Sequence, residues 1–282
     1  MTKLVDAIDA YEHTMRALLG LGQDCSDTDF DLPTECPGWT VKDQFSHIVG
    51  VERWMLGERD PEHELPELEH VRGDFARRVE VAVDVRRSVD PRKVVAELGD
   101  VLDARLGWLR APGRSAEEAV ASPLGGEAPL RTALALRTFD IWTHEQDVRR
   151  ALGGPGDLGS PAAAVAVSWI ARSLPRVVAR GARVVPGQSV AFEVTGPVAF
   201  SQTVSVQSGD DGKPVGVVVS GSGGGASGGA DEVPDAVARL TMDTEAFMRR
   251  ACGRWSVSDT PVRIEGDEEI ARRVLDAMAV TP

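Results

Sequence analysis

Apolar residues recur at helical spacing through the first half of the chain, then give way to short alternating runs. Val5, Ile8, Tyr11, Met15 and Leu18 or Leu19 share one side of a helix predicted from about Val5 to Gly20. An aspartate-rich loop follows and ends at ECPGWT. Thr40 is then the predicted N-cap of a second helix, with Asp43 completing a box-like start and Val41, Phe45, Ile48 and Met55 facing the core. The stretch Val71 to Arg87 is heavily charged and reads as helix broken by loop. Asp90-Pro91 opens a clearer helix carrying Val94, Val95, Leu98, Val101, Leu102, Leu106 and Leu109. A linker, APGRSAEEAVASPLGGEAP, leads to a last helix from Leu130 to Leu152, stopped by Gly153-Gly154-Pro155-Gly156. Four main helices with polar connections predict an up-and-down four-helix bundle.

The pattern changes from Ser160. A helix from Pro161 to Arg180, kinked at Pro175, precedes the β-like runs SVAFEV, QTVSVQ and VGVVVS. A glycine-serine tract, GSGGGASGGAD, leads to AVARLTM, a helix capped at Asp243, the run PVRIEG and a last helix capped at Asp267. Strands and helices are segregated, which predicts an α+β domain. The expected organisation is therefore a helical domain over 1–154 and a smaller α+β domain over 155–282, without tandem repeats.

Composition narrows the function. The 282 residues are 42% hydrophobic and 27% charged, an ordinary globular balance for two domains. A formal charge of −13 argues against nucleic acid or an anionic membrane as partner, because phosphate binding needs clustered cations. No apolar run is expected to reach the length of a membrane span. The N-terminal stretch carries Asp6, Asp9 and Glu12 on an amphipathic pattern, so it reads as a helix and not a signal peptide. Cys25, Cys36 and Cys252 are too few and too scattered for a disulfide framework or a cysteine-rich zinc site, and the cytoplasm is the expected location.

The candidate chemistry lies in LRTFDIWTHEQDVRRALG, residues 136–153. On a helical projection Leu130, Leu134, Ile141, Val148 and Leu152 fill an arc about 80–120° from Asp140, with His144 near 40°. A carboxylate and an imidazole thus sit at the border of the buried stripe, one turn apart. Burying the carboxylate alone costs several kcal/mol. One reading is an Asp–His hydrogen bond with Arg137 as counter-ion; the other is a shared metal ion. His47 is the only other histidine in the middle of a predicted helix, on a face with Val51 and Trp54. In a bundle His47, Asp140 and His144 can converge as two imidazoles and one carboxylate, the ligand count of a zinc site with an open position. Asp43 is explained by the helix start, and His13, His63 and His70 by solvated faces or loops. The glycine-serine tract lacks the Lys-Ser/Thr of a phosphate loop, Cys36 has no adjacent base, Trp142 points away as packing, and no nucleophile elbow is present.

The phrases ECPGWTVKDQFSHIVGVERWMLG and RTFDIWTHEQDVRRALG resemble the N-terminal half of the mycothiol-dependent maleylpyruvate isomerase family, which lies within the wider DinB-like metal-binding bundles. LTMDTEAFMRRACGRWS and VRIEGDEEIARRVLDAM are similar to the family's C-terminal domain, which is sterol-carrier-like. The resemblance spans nearly the whole chain. It implies a DinB-like bundle followed by an α+β sterol-carrier-like domain, a divalent metal, zinc first, on His47, Asp140 and His144, and mycothiol as a low-molecular-weight thiol cosubstrate. It implies an isomerase or S-transferase acting on a small, electrophilic, anionic substrate through a metal-bound thiolate. Arg254, in ACGRW, aligns with a Gly-Arg of the family; it reads either as a surface or structural arginine or as a group that reaches an anionic substrate. One departure is the acid: the family usually has glutamate where this chain has Asp140, a reach shorter by about 1.5 Å, so the metal would sit nearer the last helix or be bound through water. Two other classes fit the same residues, a non-catalytic metal- or ligand-binding protein and a metal-assisted hydrolase.

Overall fold

Helix α1 (Leu4–Asp24) runs one turn beyond its expected end. It leads through a 3₁₀ turn at Asp29–Asp31 to α2 (Val41–Met55), which starts as the sequence predicts. The Thr40 amide donates to Asp43 Oδ2 (3.0 Å) and the Asp43 amide to Thr40 Oγ1 (3.4 Å), a reciprocal cap. In the computed structural model, which describes residues 3–59, 61–222 and 235–281, the charged stretch after α2 forms one continuous helix, α3 (Gly73–Arg87). Its charges are paired instead of packed: Arg86 donates from Nε and Nη2 to Glu97 (2.9 and 2.8 Å) and Arg87 from Nη1 to Asp84 (2.7 Å). A Cβ on Gly50 of α2 would lie 2.2 Å from the Ala82 Cβ, so the glycine is what lets α3 approach.

Helix α4 (Pro91–Leu109) starts at the predicted Asp90 cap, with proline at its first position. The linker after it contains a small antiparallel hairpin, β1 (Ala119–Ala121) with β2 (Glu127–Pro129), before α5 (Leu130–Ala151). Helices α1 and α2 each pack on both α4 and α5, which makes α1/α2 and α4/α5 the two diagonals of a four-helix bundle. Tyr11, Met15, Leu18, Phe45, Ile48, Val94, Leu98, Leu102, Leu134, Ile141 and Val148 form its core. Each such side chain contributes about 1.5–3 kcal/mol by leaving water.

The chain divides into two compact units, 1–166 and 167–282, so the division falls inside α6 (Pro161–Ala171), past the glycine stop where the sequence changes period. The helix expected to kink at Pro175 breaks there into a single turn, α7 (Leu174–Arg176), and a π-helical turn at Val177–Gly181. One expectation is corrected. The span Pro161–Gly181 is long and apolar enough to cross a membrane by length and composition. Val167, Ile170, Leu174, Val177 and Val178 along it are nonetheless buried within the protein, as in a core helix.

The predicted alternating runs are strands: β3 (Ser189–Thr195), β4 (Phe200–Ser208) and β5 (Pro214–Ser222). β6 (Ala238–Asp243) leads directly into α8 (Thr244–Ala251) at the predicted Asp243 cap, and β7 (Arg263–Gly266) into α9 (Glu268–Ala277) at Asp267. The sheet order is β5-β4-β3-β6-β7, with β3 and β6 parallel and every other pair antiparallel. Residues 223–231 of the glycine-serine tract lie outside the described residues.

Candidate metal centre

The segment before α2 sets the centre's geometry. Cys36-Pro37-Gly38-Trp39 is a tight turn closed by the Trp39 amide on the Cys36 carbonyl (3.1 Å), with Gly38 at φ +77°. Proline second and glycine third is the residue order such a turn requires. A Cβ on Gly38 would also fall 2.3 Å from His70 Nδ1. The turn directs the Trp39 indole onto the bundle, where its Nε1 donates to Glu80 Oε2 of α3 (2.9 Å).

His47 projects from the second turn of α2, and Asp140 and His144 from one face of α5. His47 Nε2 lies 3.1 Å from Asp140 Oδ2, and His144 Nε2 lies 3.6 Å from Asp140 Oδ1. One donor atom from each residue falls within 4.8 Å of the other two. The imidazoles are buried, while the Asp140 side chain is 27% exposed. Helix α2 packs directly against α5, which lets the Asp140 carboxylate meet His47.

The His144 tautomer follows from its neighbours. The Thr34 hydroxyl donates to the Trp39 carbonyl (2.9 Å), so its oxygen accepts from Gln44 Nε2 (2.7 Å). That turns Gln44 Oε1 towards His144 Nδ1 (2.5 Å), which must carry the proton. Asp147 Oδ2 lies 3.5 Å from the same nitrogen. In the neutral ring the lone pair is then on Nε2, the nitrogen 3.6 Å from Asp140 Oδ1. Fixing a ligand imidazole through its far nitrogen is the usual support of a metal site.

A second group of charges lies beneath. Glu52, fully buried, accepts from the Tyr11 hydroxyl (2.8 Å) and Arg105 Nε (2.7 Å) on Oε2, and from Arg137 Nε (2.7 Å) on Oε1. Arg137 Nη1 then donates to Asp140 Oδ2 (2.6 Å). Burial alone would raise the Asp140 carboxyl, but Arg137 and the two histidines outweigh it and hold it well below the ordinary range. Burial takes the His47 imidazole down to about 4 against the pull of Asp140. At His144 burial also lowers, but the hydrogen bonds and charges of Asp140 and Asp147 prevail and raise it.

The three residues expected to meet are thus brought together, with Arg137 as counter-ion, and Asp43 serves the helix start. Arg254 lies in the C-terminal unit just after α8, its Nη1 donating to the Cys252 carbonyl (2.8 Å). Trp142 is buried packing, with Nε1 on the Asp157 carbonyl (3.4 Å). His13 pairs with Asp157 and His63 with Asp84 at exposed positions, while His70 sits 3.2 Å from Glu80. Sequence reasoning missed Trp39, Gln44, Glu52 and Arg105 as parts of the centre. A signal existed for Arg105, which interrupts the leucine seam of Leu98, Leu102 and Leu109.

A helical bundle presenting two imidazoles and a carboxylate at one point defines a three-donor class of site on a four-helix scaffold. Residues 11–149 match the family described as the mycothiol maleylpyruvate isomerase N-terminal domain. The fold is similar to the crystal structure of the mycothiol-dependent maleylpyruvate isomerase, at 15% identity over 94% of this chain and 96% of that one, with a TM-score of 0.54. It is also similar to a mutant of that isomerase with one histidine replaced by alanine, at 14% identity over 93% and 95% of the two chains and a TM-score of 0.52. No curated protein matches the chain.

Proposed function

We propose that His47 Nε2, Asp140 and His144 Nε2 hold a divalent cation, zinc first, and that the chain is a mycothiol-using isomerase or S-transferase of the maleylpyruvate isomerase type. The observation that carries this is the convergence of the three donors. Donors 2.0–2.1 Å from a tetrahedral cation stand about 3.3 Å apart; His47 Nε2 and Asp140 Oδ2, 3.1 Å apart, are close to that value, while His144 Nε2 faces the other oxygen, Oδ1, at 3.6 Å. The donor set is right for zinc and for other divalent ions that accept imidazole and carboxylate. When bound, the cation supplies a Lewis-acid centre at which a thiol coordinates as thiolate at neutral pH.

The chain's own residues do the rest. Gln44 keeps the proton of His144 on Nδ1, so that Nε2 stays available as a donor. Arg137 holds one oxygen of Asp140 and leaves the other facing His144. The partial exposure of Asp140 admits the thiol and a small, electrophilic, anionic substrate, the class that the family likeness implies. One observation favours the metal-free binding reading: Arg137 already neutralises Asp140.

Metal analysis of protein purified without chelator or a nickel column separates the two. The expected result is one zinc per chain, lost in His144→Ala; equal metal content in that variant would refute the site. Consumption of a cysteine-glycoside thiol together with an electrophile then distinguishes transfer, isomerisation without net thiol loss, and hydrolysis.

A further inference from the structure

The two imidazoles of the cluster are supported differently. His144 is held through its far nitrogen by Gln44, whereas His47 Nδ1 is buried without a hydrogen-bond partner among the described residues. Ligand histidines ordinarily have that nitrogen tied, because the tie fixes the ring plane. What touches His47 is an aromatic face: the Trp39 ring centroid lies 5.0 Å from that of His47 and 5.6 Å from that of His144, tilted by 40° and 35°. The imidazoles are themselves 4.6 Å apart and cross at 63°. Three rings in mutual contact leave neither imidazole free to turn about its Cβ–Cγ bond without displacing the indole.

The indole is anchored in its turn. Trp39 Nε1 donates to Glu80 Oε2, and Glu80 Oε1 accepts from Arg87 Nη2 (2.6 Å). The Trp39 carbonyl accepts from the Thr34 amide and hydroxyl (3.1 and 2.9 Å). Both ends of the residue are therefore fixed, one by its own turn and one by α3. We propose that Trp39, held by Glu80, is a positioning residue of the centre that sets the plane of His47 in place of a hydrogen bond, and that α3 belongs to the site through it. This rests on the reading of the cluster as a metal centre.

Cobalt(II) is the probe, since zinc has no visible spectrum and cobalt reports ligand geometry through its d–d bands. The full chain, stripped of metal, is titrated with Co²⁺ as wild type, Trp39→Phe, Glu80→Ala and Glu80→Gln. Trp39→Phe and Glu80→Ala are expected to bind one cobalt with affinity weakened about 10–100-fold and with shifted, weaker bands. Glu80→Gln keeps an acceptor for the indole N–H and is expected to restore band position and affinity towards wild type. A role confined to stability would lower the unfolding temperature of the metal-free variants and leave the band positions unchanged, and that result overturns the proposal. Affinity and spectrum equal to wild type in Trp39→Phe and Glu80→Ala overturn it as well while leaving the metal reading intact. Wild-type protein that takes up no cobalt overturns the metal reading and the clamp with it. If Trp39→Phe does not fold, the Glu80 pair decides by the same criteria.

Discussion

Glu52→Gln tests the buried charges on which the centre stands. Glu52, Arg105 and Arg137 have almost no solvent contact, and the carboxylate accepts all three donors that reach it, from Tyr11, Arg105 and Arg137. Glutamine keeps the shape, but one end becomes an N–H₂ facing N–H or O–H donors, and Arg105 and Arg137 are left to share the single charge of Asp140. Removing one partner of a buried ion pair costs about 3–5 kcal/mol, because the other charge is left uncompensated. Against a total domain stability of about 5–15 kcal/mol that is a large loss. The assay is urea unfolding followed by tryptophan fluorescence and circular dichroism, with Glu58→Gln as the control. Glu58 pairs with Arg53 at a half-exposed position, and its loss is expected to cost at most about 1 kcal/mol. The pH dependence has a defined sign. Burial would raise the Glu52 carboxyl, but Arg137 and Arg105 prevail and hold it below the ordinary value of 4.5. A depressed carboxyl stabilises the fold above the unfolded-state value, and that stabilisation is lost as pH falls through the folded-state value. The gap between wild type and Glu52→Gln must therefore be widest near neutrality and narrow below about pH 4.5. A gap under about 1 kcal/mol at pH 7, or one that widens in acid, would refute the reasoning.

Two further outcomes follow from the segment around α2. Gln44→Leu removes the acceptor that fixes His144 and is expected to weaken metal binding about 10–100-fold with little change in the fold; equilibrium dialysis against a competing chelator measures it, and unchanged affinity would show that Asp147 suffices. Gly38→Ala must place a side chain at φ +77° and against the His70 ring, and is expected to cost about 1–3 kcal/mol in thermal unfolding.

Much of this was legible in the sequence for a physical reason. The α2 cap, the Asp90-Pro91 start and the Asp243 and Asp267 caps are local chemistry, written within three residues of where they act. Asp140 and His144 stood out because helical spacing put them at the edge of an apolar stripe, where polar groups are costly. Helix α3 did not stand out, because its charges are satisfied by Glu97, Asp84 and Glu80, not by solvent alone, and periodicity does not register pairing. In sequence Glu52 is one more charge on an amphipathic helix; only the arrival of Arg105 from α4 and Arg137 from α5 makes it a core residue. Trp39 was hidden differently. The direction of its indole is set by a four-residue turn and by an acceptor forty-one residues away, and no spacing rule connects them.

Charge balance gives the remaining argument about what completes the centre. Glu52, Arg105, Arg137 and Asp140 form one hydrogen-bonded group whose formal charges cancel. A divalent cation on the neutral imidazoles would add two positive charges in a mostly buried place, beside the Asp147 carboxylate 3.5 Å from His144. Uncompensated charge away from water is costly, so an anionic ligand would suit the loaded centre better than a neutral one. A thiol would meet this by shedding its proton, which at pH 7 it otherwise keeps, its free pKa being about 8.5. Thiol binding to the metal-loaded protein is therefore expected to release close to one proton at pH 7. Calorimetry in buffers of different ionisation enthalpy reads that number directly. Release near zero would mean that the thiol enters neutral and that the buried charges are balanced in some other way.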